Sequence, residues 1–434
     1  MSLNLTELVP RPGVGKVGKP VRVRTNFFEV SQFGTQNIHH YDVTIDPPSA
    51  PPVLYRRIWN AFETSHSQGV LKGIKPIFDG RKNVFSPKAL PLGEENAMQF
   101  ETEIQEQGSK RSGGTFKIRM KKVGEVNMQE LQLFLNGQSA SIMVLDVLIS
   151  SLTTQLYTTV GRSFYIPDNK HPLPNGAEVW QGFYQSARPT AGKMMINIDT
   201  SATAFYESGR LPEIVVKILG RRTLDDLRRG IPQRDLVKLT KILKTLRIQV
   251  IHRGEKKLKY KITKLTPASA DQTTFKNDSG VEMTVADYFS KQYNQRLNFP
   301  FLPCVVVKKD IFLPMEVCEV LPGQRVMSKL NEKQTAEMIK FTCQKPHVRA
   351  NKVQQGMSLL KYRENPYMQQ FGVSVKNEMS VINARVLPIP KLSYHATSKE
   401  AVFAPQGGAW NIVGKKVAQG ATLGSWAVVN FVGS

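Results

Sequence analysis

The sequence predicts an α+β fold of several domains, among them a small mostly-β domain with a helical insert. Three observations predict it. The chain has 434 residues, room for roughly two to four domains. Short runs rich in β-branched and aromatic residues, punctuated by proline and glycine, are interspersed with a few long runs of helical period. Between 232 and 313 an amphipathic helix, a hairpin and further short strands follow one another closely.

Residues 1–20 read as a flexible N-terminal segment. It contains GVGKVG, a literal GxGxxG at Gly13, Gly15 and Gly18. A dinucleotide fingerprint needs a strand before it and a helix after it. Here PRP precedes and a strand-like run comes next, so the cofactor reading fails and no cofactor is expected. An α/β N-terminal domain is expected over 21–155, with strands VRVRTNFFEV (21–30) and IHHYDVTIDP (38–47). VLYRRIWNAFETSHSQ (53–68) puts Leu54, Ile58 and Phe62 on one helical stripe, and 129–155 reads as helix, turn and helix. A strand-rich connector over 156–211 holds TTVGRSFYIP, EVWQGFYQSARP and KMMINIDTSATAFY.

The mostly-β domain is expected over 212–345. Its helix (232–246) carries Leu236, Leu239, Leu243 and Leu246 on one face, with Lys238, Lys241 and Lys244 elsewhere. RIQVIH and KLKYKITKL flank RGEK as a hairpin. In its second strand Leu258, Tyr260 and Ile262 alternate with Lys257, Lys259 and Lys261, giving one apolar and one basic face. NEKQTAEMIKFTCQ (331–344) reads as a helix with Asn331 as its N-cap. A second connector spans 346–400, with a helix in ANKVQQGMSLLKY and an extended VLPIPKLSY. Residues 401–434 hold AWNIVGKKV and the strand-like SWAVVNFV; they read as the start of a further, truncated domain, so the chain is expected to be part of a longer protein.

Lysine and arginine number 59 against 35 acidic residues, a net charge of +24. A field of that sign, spread along the chain, attracts polyanions and releases counterions from them. Three cysteines, Cys304, Cys318 and Cys343, form no CxxC pair, which suggests reduced thiols and no zinc site. No targeting segment or membrane span is visible, and a cytoplasmic or nuclear location is expected. There is no phosphate loop, no HExxH and no GxSxG, and the histidines do not cluster with carboxylates. His39 and His40 are adjacent and would point to opposite faces of a strand.

A basic and aromatic constellation remains over 247–313: His252, Tyr260, Phe275, Tyr288, Tyr293 and Leu313. Rings stack on bases, while hydroxyls and imidazole bond phosphate oxygens, a chemistry suited to single-stranded nucleic acid or a strand end. The alternative for each tyrosine is a core ring with its hydroxyl at the edge. In TVADYFSKQYNQ (284–295) Phe289 belongs to a core stripe, while Tyr288 and Tyr293 are five residues apart, about 140° round an ideal helix. Both can reach one ligand only if the helix ends or tightens near Tyr293.

At these residues the chain resembles the N-terminal half of a eukaryotic Argonaute, of a fungal kind. RPGVGKVGKP resembles the family's glycine-rich lead-in, and YTTVGRSFYIP, EVWQGFYQSARP and KMMINIDTSATAFY its first linker. IHRGEKKLKYKI, TVADYF, LPCVVV and FLPMEVCEVLPGQR resemble the PAZ domain; NPYMQQFGVSV, RVLPIPKLSY and GAWNIVGKK resemble the second linker. The resemblance implies an N domain, a linker, an OB-like PAZ barrel, a second linker and the start of a MID domain. It implies binding of a small guide RNA, pairing with target RNA in gene silencing, and an N domain that helps to separate duplex strands. The acidic cutting residues would lie in a PIWI domain beyond this chain, so no cleavage by this chain alone is expected; the MID–PIWI half or a complete Argonaute is an expected partner.

Carried over by position, Tyr260, Tyr288, Tyr293 and His252 would bond the terminal phosphate linkage of the guide's 3′ end, with Phe275 and Leu313 against its last nucleotide. Arg162 and Ser201 fall where the family contacts the guide backbone, and Ile339 where an apolar residue presses on it; a surface arginine, a turn or N-cap serine and a core isoleucine are the alternatives. Two positions depart from the pattern. Leu258 and Gln292 stand where relatives often carry basic residues, so weaker end binding is expected. The three readings are an RNA-binding module, a fragment of a cleaving Argonaute, and a partner of a complete Argonaute that has lost RNA binding.

Overall fold

The computed structural model describes residues 15–48, 52–105, 112–128, 139–190, 193–254, 258–276, 280–308 and 311–430. Gly13, Lys257 and the first helix expected in 129–155 lie outside them. The chain forms two units. In the smaller one, β1 (Lys19–Arg24) pairs antiparallel with the strand Val381–Val386, Lys19 opposite Val386 and Arg24 opposite Val381. The expected single strand over 21–30 is therefore two: it breaks at Thr25 and Asn26, and β2 (Phe27–Gln32) belongs to the larger unit. The strand expected in SWAVVNFV does not form over 425–430, where Trp426 and Val428 are exposed. High β-propensity makes no strand without a partner strand to hydrogen-bond.

The larger unit, residues 26–380, opens with β2 and a five-stranded sheet. This sheet contains β3 (Ile38–Asp46), β4 (Ile77–Phe78), β5 (Asn83–Ser86), β6 (Ala97–Gln105) and β7 (Ser112–Val126), ordered β4-β5-β3-β7-β6. Helix α1 (Pro52–Ser65) packs on it through Ile58 and Phe62, as the stripe predicts. His39 and His40 take separate partners: Glu125 at 3.1 Å and Asn83 at 2.9 Å. Helix α2 (Ser139–Leu156) leads into β8 (Thr158–Val160), β9 (Ser163–Leu173), β10 (Ala177–Thr190) and β11 (Lys193–Tyr206).

These strands form a six-stranded sheet that β2 joins at one side and β21 (Ser374–Val375) extends. Strands distant in sequence thus share one sheet, which ties the first connector to the start and end of the unit. At Gly182 the carbonyl of Phe164 approaches so closely that a Cβ would lie 1.9 Å from it, so only glycine fits.

Helix α3 (Leu211–Leu219) follows β12 (Gly209–Arg210), and α4 (Gln233–Leu243) buries Leu236, Leu239 and Leu243. The sheet β12-β20-β13-β14 is built from β13 (Arg247–Val250), β14 (Lys259–Lys261) and β20 (Cys318–Val320). A second sheet joins β15 (Lys264–Ser269) to β18 (Pro303–Lys308) and β19 (Ile311–Pro314). The helical insert is a small hairpin, β16 (Thr274–Lys276) and β17 (Glu282–Thr284), followed by α5 (Val285–Tyr293). Both sheets, α3, α4 and the insert share one hydrophobic core.

Beyond it come α6 (Glu332–Thr342), α7 (Pro346–Leu360) and α8 (Pro366–Gln370). The predicted Asn331 cap closes a full capping box: its side chain accepts from Gln334 N at 2.9 Å, and Gln334 Oε1 accepts from Asn331 N at 3.1 Å. Among the described residues no helix is long and apolar enough to cross a membrane, and no cluster of three or more His, Cys, Asp or Glu is poised for a metal.

Candidate nucleic-acid interface

Helix α5 organises the aromatic constellation. Thr284 caps it, its hydroxyl accepting from Asp287 N at 3.1 Å. Phe289 is 2% exposed and anchors the helix in the core, a burial that stabilises by about 1.5–3 kcal/mol. The helix ends at Tyr293, where Asn294 takes the left-handed conformation at φ 49° and ψ 37°. There the Tyr293 ring comes to 6.0 Å from the Tyr288 ring, both half-buried. The helix end that the two tyrosines require is present.

The rings continue on both sides. Phe275, on β16, meets Tyr288 edge-on at 5.2 Å, and Phe312 lies 6.4 Å from Phe275. His252, in the turn after β13, meets Tyr293 at 4.8 Å and Phe289 at 5.1 Å. Tyr260 sits half-buried on β14, opposite Ile248; among the described residues no ring contact joins it to the others. Leu313 is only 7% exposed and faces the core; its strand neighbour Phe312 supplies the ring beside Phe275. Phe312 was not singled out from sequence, though strand alternation makes it the partner face of Leu313.

Arg253 is the other residue that sequence reasoning passed over. Its Nη2 donates to the Tyr293 hydroxyl at 3.0 Å, its Nε donates to His252 Nε2 at 3.2 Å, and its guanidinium lies 5.9 Å from the Tyr293 ring centre. The signal was present: an arginine adjoining the candidate histidine in IHRG. An accepting Nε2 leaves the proton of a neutral imidazole on Nδ1, which is buried without a hydrogen-bond partner. Burial, and then the neighbouring Arg253 charge, push the His252 pKa down from 6.5 to about 4. At neutral pH this histidine is an uncharged donor, and Arg253 is the cation of the cluster. Leu258 packs half-buried on the core and Gln292 is exposed.

The remaining predicted residues lie elsewhere in the unit. Ser201 is on β11 opposite Gly182, neither a turn nor an N-cap residue, and its hydroxyl pairs with Tyr165 Oη at 3.0 Å. It lines a cavity of about 150 Å3 with Gln181, Thr200, Phe341, Gln344 and Arg349. Arg349 clamps Asp199 through two bonds, of 2.9 and 2.6 Å. Arg162 is ion-paired with Asp146 at 2.9 Å. Ile339 is 53% exposed on α6, not a core residue. A second cavity, of about 330 Å3, is lined by Arg228, Ser269, Asp271 and Phe301 and holds none of the clustered rings.

Four family models match the chain: the N-terminal domain of argonaute at residues 19–149, the Argonaute linker 1 domain at 159–207, the PAZ domain at 221–339 and the Argonaute linker 2 domain at 348–394. The chain carries the domain set of an Argonaute's N-terminal half. Among curated proteins, rice (Oryza sativa subsp. japonica) protein argonaute MEL1 is 35% identical over 432 residues, spanning 97% of this chain and 40% of the relative. Rice protein argonaute 1D is 34% identical over 437 residues, spanning 97% of this chain and 41% of the relative. The chain thus spans about two-fifths of the length of these Argonaute relatives, and neither supports the expected fungal kind. A solved Kluyveromyces polysporus Argonaute with a guide RNA shares the fold, with a TM-score of 0.60 at 17% identity over 94% of this chain and 50% of that one. The aromatic cluster and Arg253 fall inside the PAZ match.

Proposed function

We propose that the chain binds a small guide RNA for gene silencing and takes the RNA's 3′ end into the cluster of Phe275, Tyr288, Tyr293 and His252. The observation that carries this reading is the Tyr288–Tyr293 pair at 6.0 Å with Arg253 on the Tyr293 hydroxyl, inside a matched PAZ domain. Rings offer stacking of roughly 1–3 kcal/mol per base. The tyrosine hydroxyls donate to phosphate oxygens, His252 holds its ring against Tyr293, and Arg253 supplies the charge that Leu258 and Gln292 lack. Tyr260 completes the phosphate contacts from β14, while Arg162, Ser201 and Ile339 serve the guide backbone further along. The N-terminal domain helps to separate the duplex strands, and target cleavage belongs to a MID–PIWI half that acts with this one.

The test is fluorescence-polarisation binding to an RNA duplex with two-nucleotide 3′ overhangs, against blunt and 3′-phosphorylated duplexes. Preference for the free overhang that survives higher salt is expected. Tyr288→Ala with Tyr293→Ala should abolish the preference at some cost in stability, since both rings pack half-buried on the core, whereas Tyr288→Phe with Tyr293→Phe should weaken overhang binding with the rings still packed. Equal, salt-sensitive binding of all three duplexes by the unaltered chain would sink the reading.

A further inference from the structure

The strand that carries Tyr260 has a second face. On β13 and β14, Ile248 and Tyr260 are paired on the inner side, while Arg247 stands directly opposite Lys261, and Gln249 opposite Lys259, on the outer side. The same side continues to Glu319, which accepts from Gln249 Nε2 at 2.9 Å. Helix α4 runs up to this end of the sheet with Lys238, Lys241 and its C-cap Lys244 all exposed. The join is tight: Thr245 N donates to Ile262 O at 2.9 Å, and Ile262 N to Leu246 O at 2.9 Å. Lys244 is therefore set beside the end of β14 that holds Lys261.

None of these six cations has a carboxylate within ion-pair distance among the described residues. Like charges directly opposite in a sheet, or three apart on a helix, destabilise the fold that holds them. Lysines on the edge strand β14 could by themselves guard against edge pairing. Arg247 cannot serve that purpose, because β13 is an interior strand between β20 and β14. A basic ridge with no ion pair among the described residues suits an external polyanion.

We infer that this outer ridge of the PAZ domain, Lys244, Arg247, Lys259 and Lys261, is a second RNA-binding surface that grips the backbone of an RNA duplex without needing an end, with Lys238 and Lys241 adding to the positive field from α4. The side chains present favour a duplex. The outward residues of β13 and β14 include no aromatic ring, so there is no platform on which an unstacked base could sit. Phosphates displayed along a duplex need none. Choosing RNA over an acidic protein rests on the proposed function; the ridge itself does not.

The experiment uses the whole chain and an RNA dumbbell closed by loops at both ends, so that no 3′ end exists. Its affinity is measured across salt concentrations for the unaltered chain, for Lys244→Glu with Lys261→Glu, and for Lys82→Glu with Lys88→Glu, an equal charge change at exposed residues of the N-terminal domain. The ridge variant should bind the dumbbell at least about tenfold more weakly, with a salt slope shallower by roughly 2, near 0.9 per lost phosphate contact. It should keep the preference for overhangs over blunt ends. The inference fails if the unaltered chain ignores the dumbbell, if both variants weaken equally, if the overhang preference falls with the ridge, or if a polyglutamate peptide displaces the dumbbell at a lower charge concentration than competing duplex does. A failed 3′-end pocket would show differently: no overhang preference in the unaltered chain, with dumbbell binding intact.

Discussion

Acidification should loosen α5 through His252. The folded pKa is depressed from 6.5 to about 4, by burial first and by Arg253 second. Below pH 6.5 the unfolded chain therefore binds a proton that the folded chain refuses, and stability falls as pH falls. The contribution is fully present above about pH 7 and is lost progressively down to about pH 4. For a fully effective shift, moving from pH 7.5 to pH 5 would remove about 2 kcal/mol. His252 is only partly buried, and solvent screening halves that to about 1 kcal/mol. Because the chain has several domains, the assay must be local: hydrogen exchange of peptides covering 285–293, followed by mass spectrometry, in the unaltered chain and in His252→Gln. The unaltered chain should lose about 1 kcal/mol more of opening free energy than the variant over that range. Parallel pH profiles would show that the imidazole is not held neutral and would refute the electrostatic account of the cluster.

Three other outcomes rest on single contacts. Arg253→Ala should weaken overhang binding by about tenfold or more and make the salt slope shallower by roughly 0.7, the loss of one phosphate contact on a single strand; an unchanged slope would return Arg253 to a purely positioning role. Tyr367→Phe should cost about 2 kcal/mol in denaturant unfolding, because the Tyr367 hydroxyl donates to buried Glu63 at 2.8 Å and accepts from Gln155 Nε2 at 2.8 Å. Gly182→Ala should cost about 3 kcal/mol, since its Cβ would meet the Phe164 carbonyl at 1.9 Å and backbone cannot step aside as a side chain can; a melt within about 1 °C of the unaltered chain would contradict that packing.

Local chemistry made much of this structure legible. Leu236, Leu239 and Leu243 of α4, the Asn331 cap and the alternation on β14 are all written in consecutive residues and appear as read, whereas Leu246, read onto the same helix, is buried beyond its end at Leu243, after a turn at Thr245. The hidden features depend on partners far along the chain. VRVRTNFFEV looks like one strand, yet its first half pairs with residues 381–386 and its second half with β11 and β21. Nothing local encodes which partner a β-rich run will find. In the candidate site, the tyrosines and His252 stood out because hydroxyl-bearing rings and an imidazole gather among basic neighbours over 247–313. Phe312 was masked by its neighbour Leu313, and Ile339 could not be placed because an apolar helix residue reads the same whether packed or exposed.

Arg253 shows how the site carries a cation although neither Leu258 nor Gln292 is basic. On β14 the alternation of side chains is fixed, so Lys259 and Lys261 point away from the face of Leu258 and Tyr260 and cannot supply a charge there. A turn residue is under no such parity. Arg253 follows His252 in the turn after β13, and from there its guanidinium reaches back to the imidazole and across to the Tyr293 hydroxyl. The same parity that keeps the β14 lysines on the outer face gathers them, with Arg247, into a basic ridge. Among the described residues, one hairpin thus separates two positive fields: Arg253 among rings on the inner side, suited to a strand end, and a row of cations without ion pairs on the outer side, suited to a backbone. Leu258→Arg would add charge to the inner field alone, and should strengthen overhang binding in Arg253→Ala while leaving binding of a closed duplex unchanged.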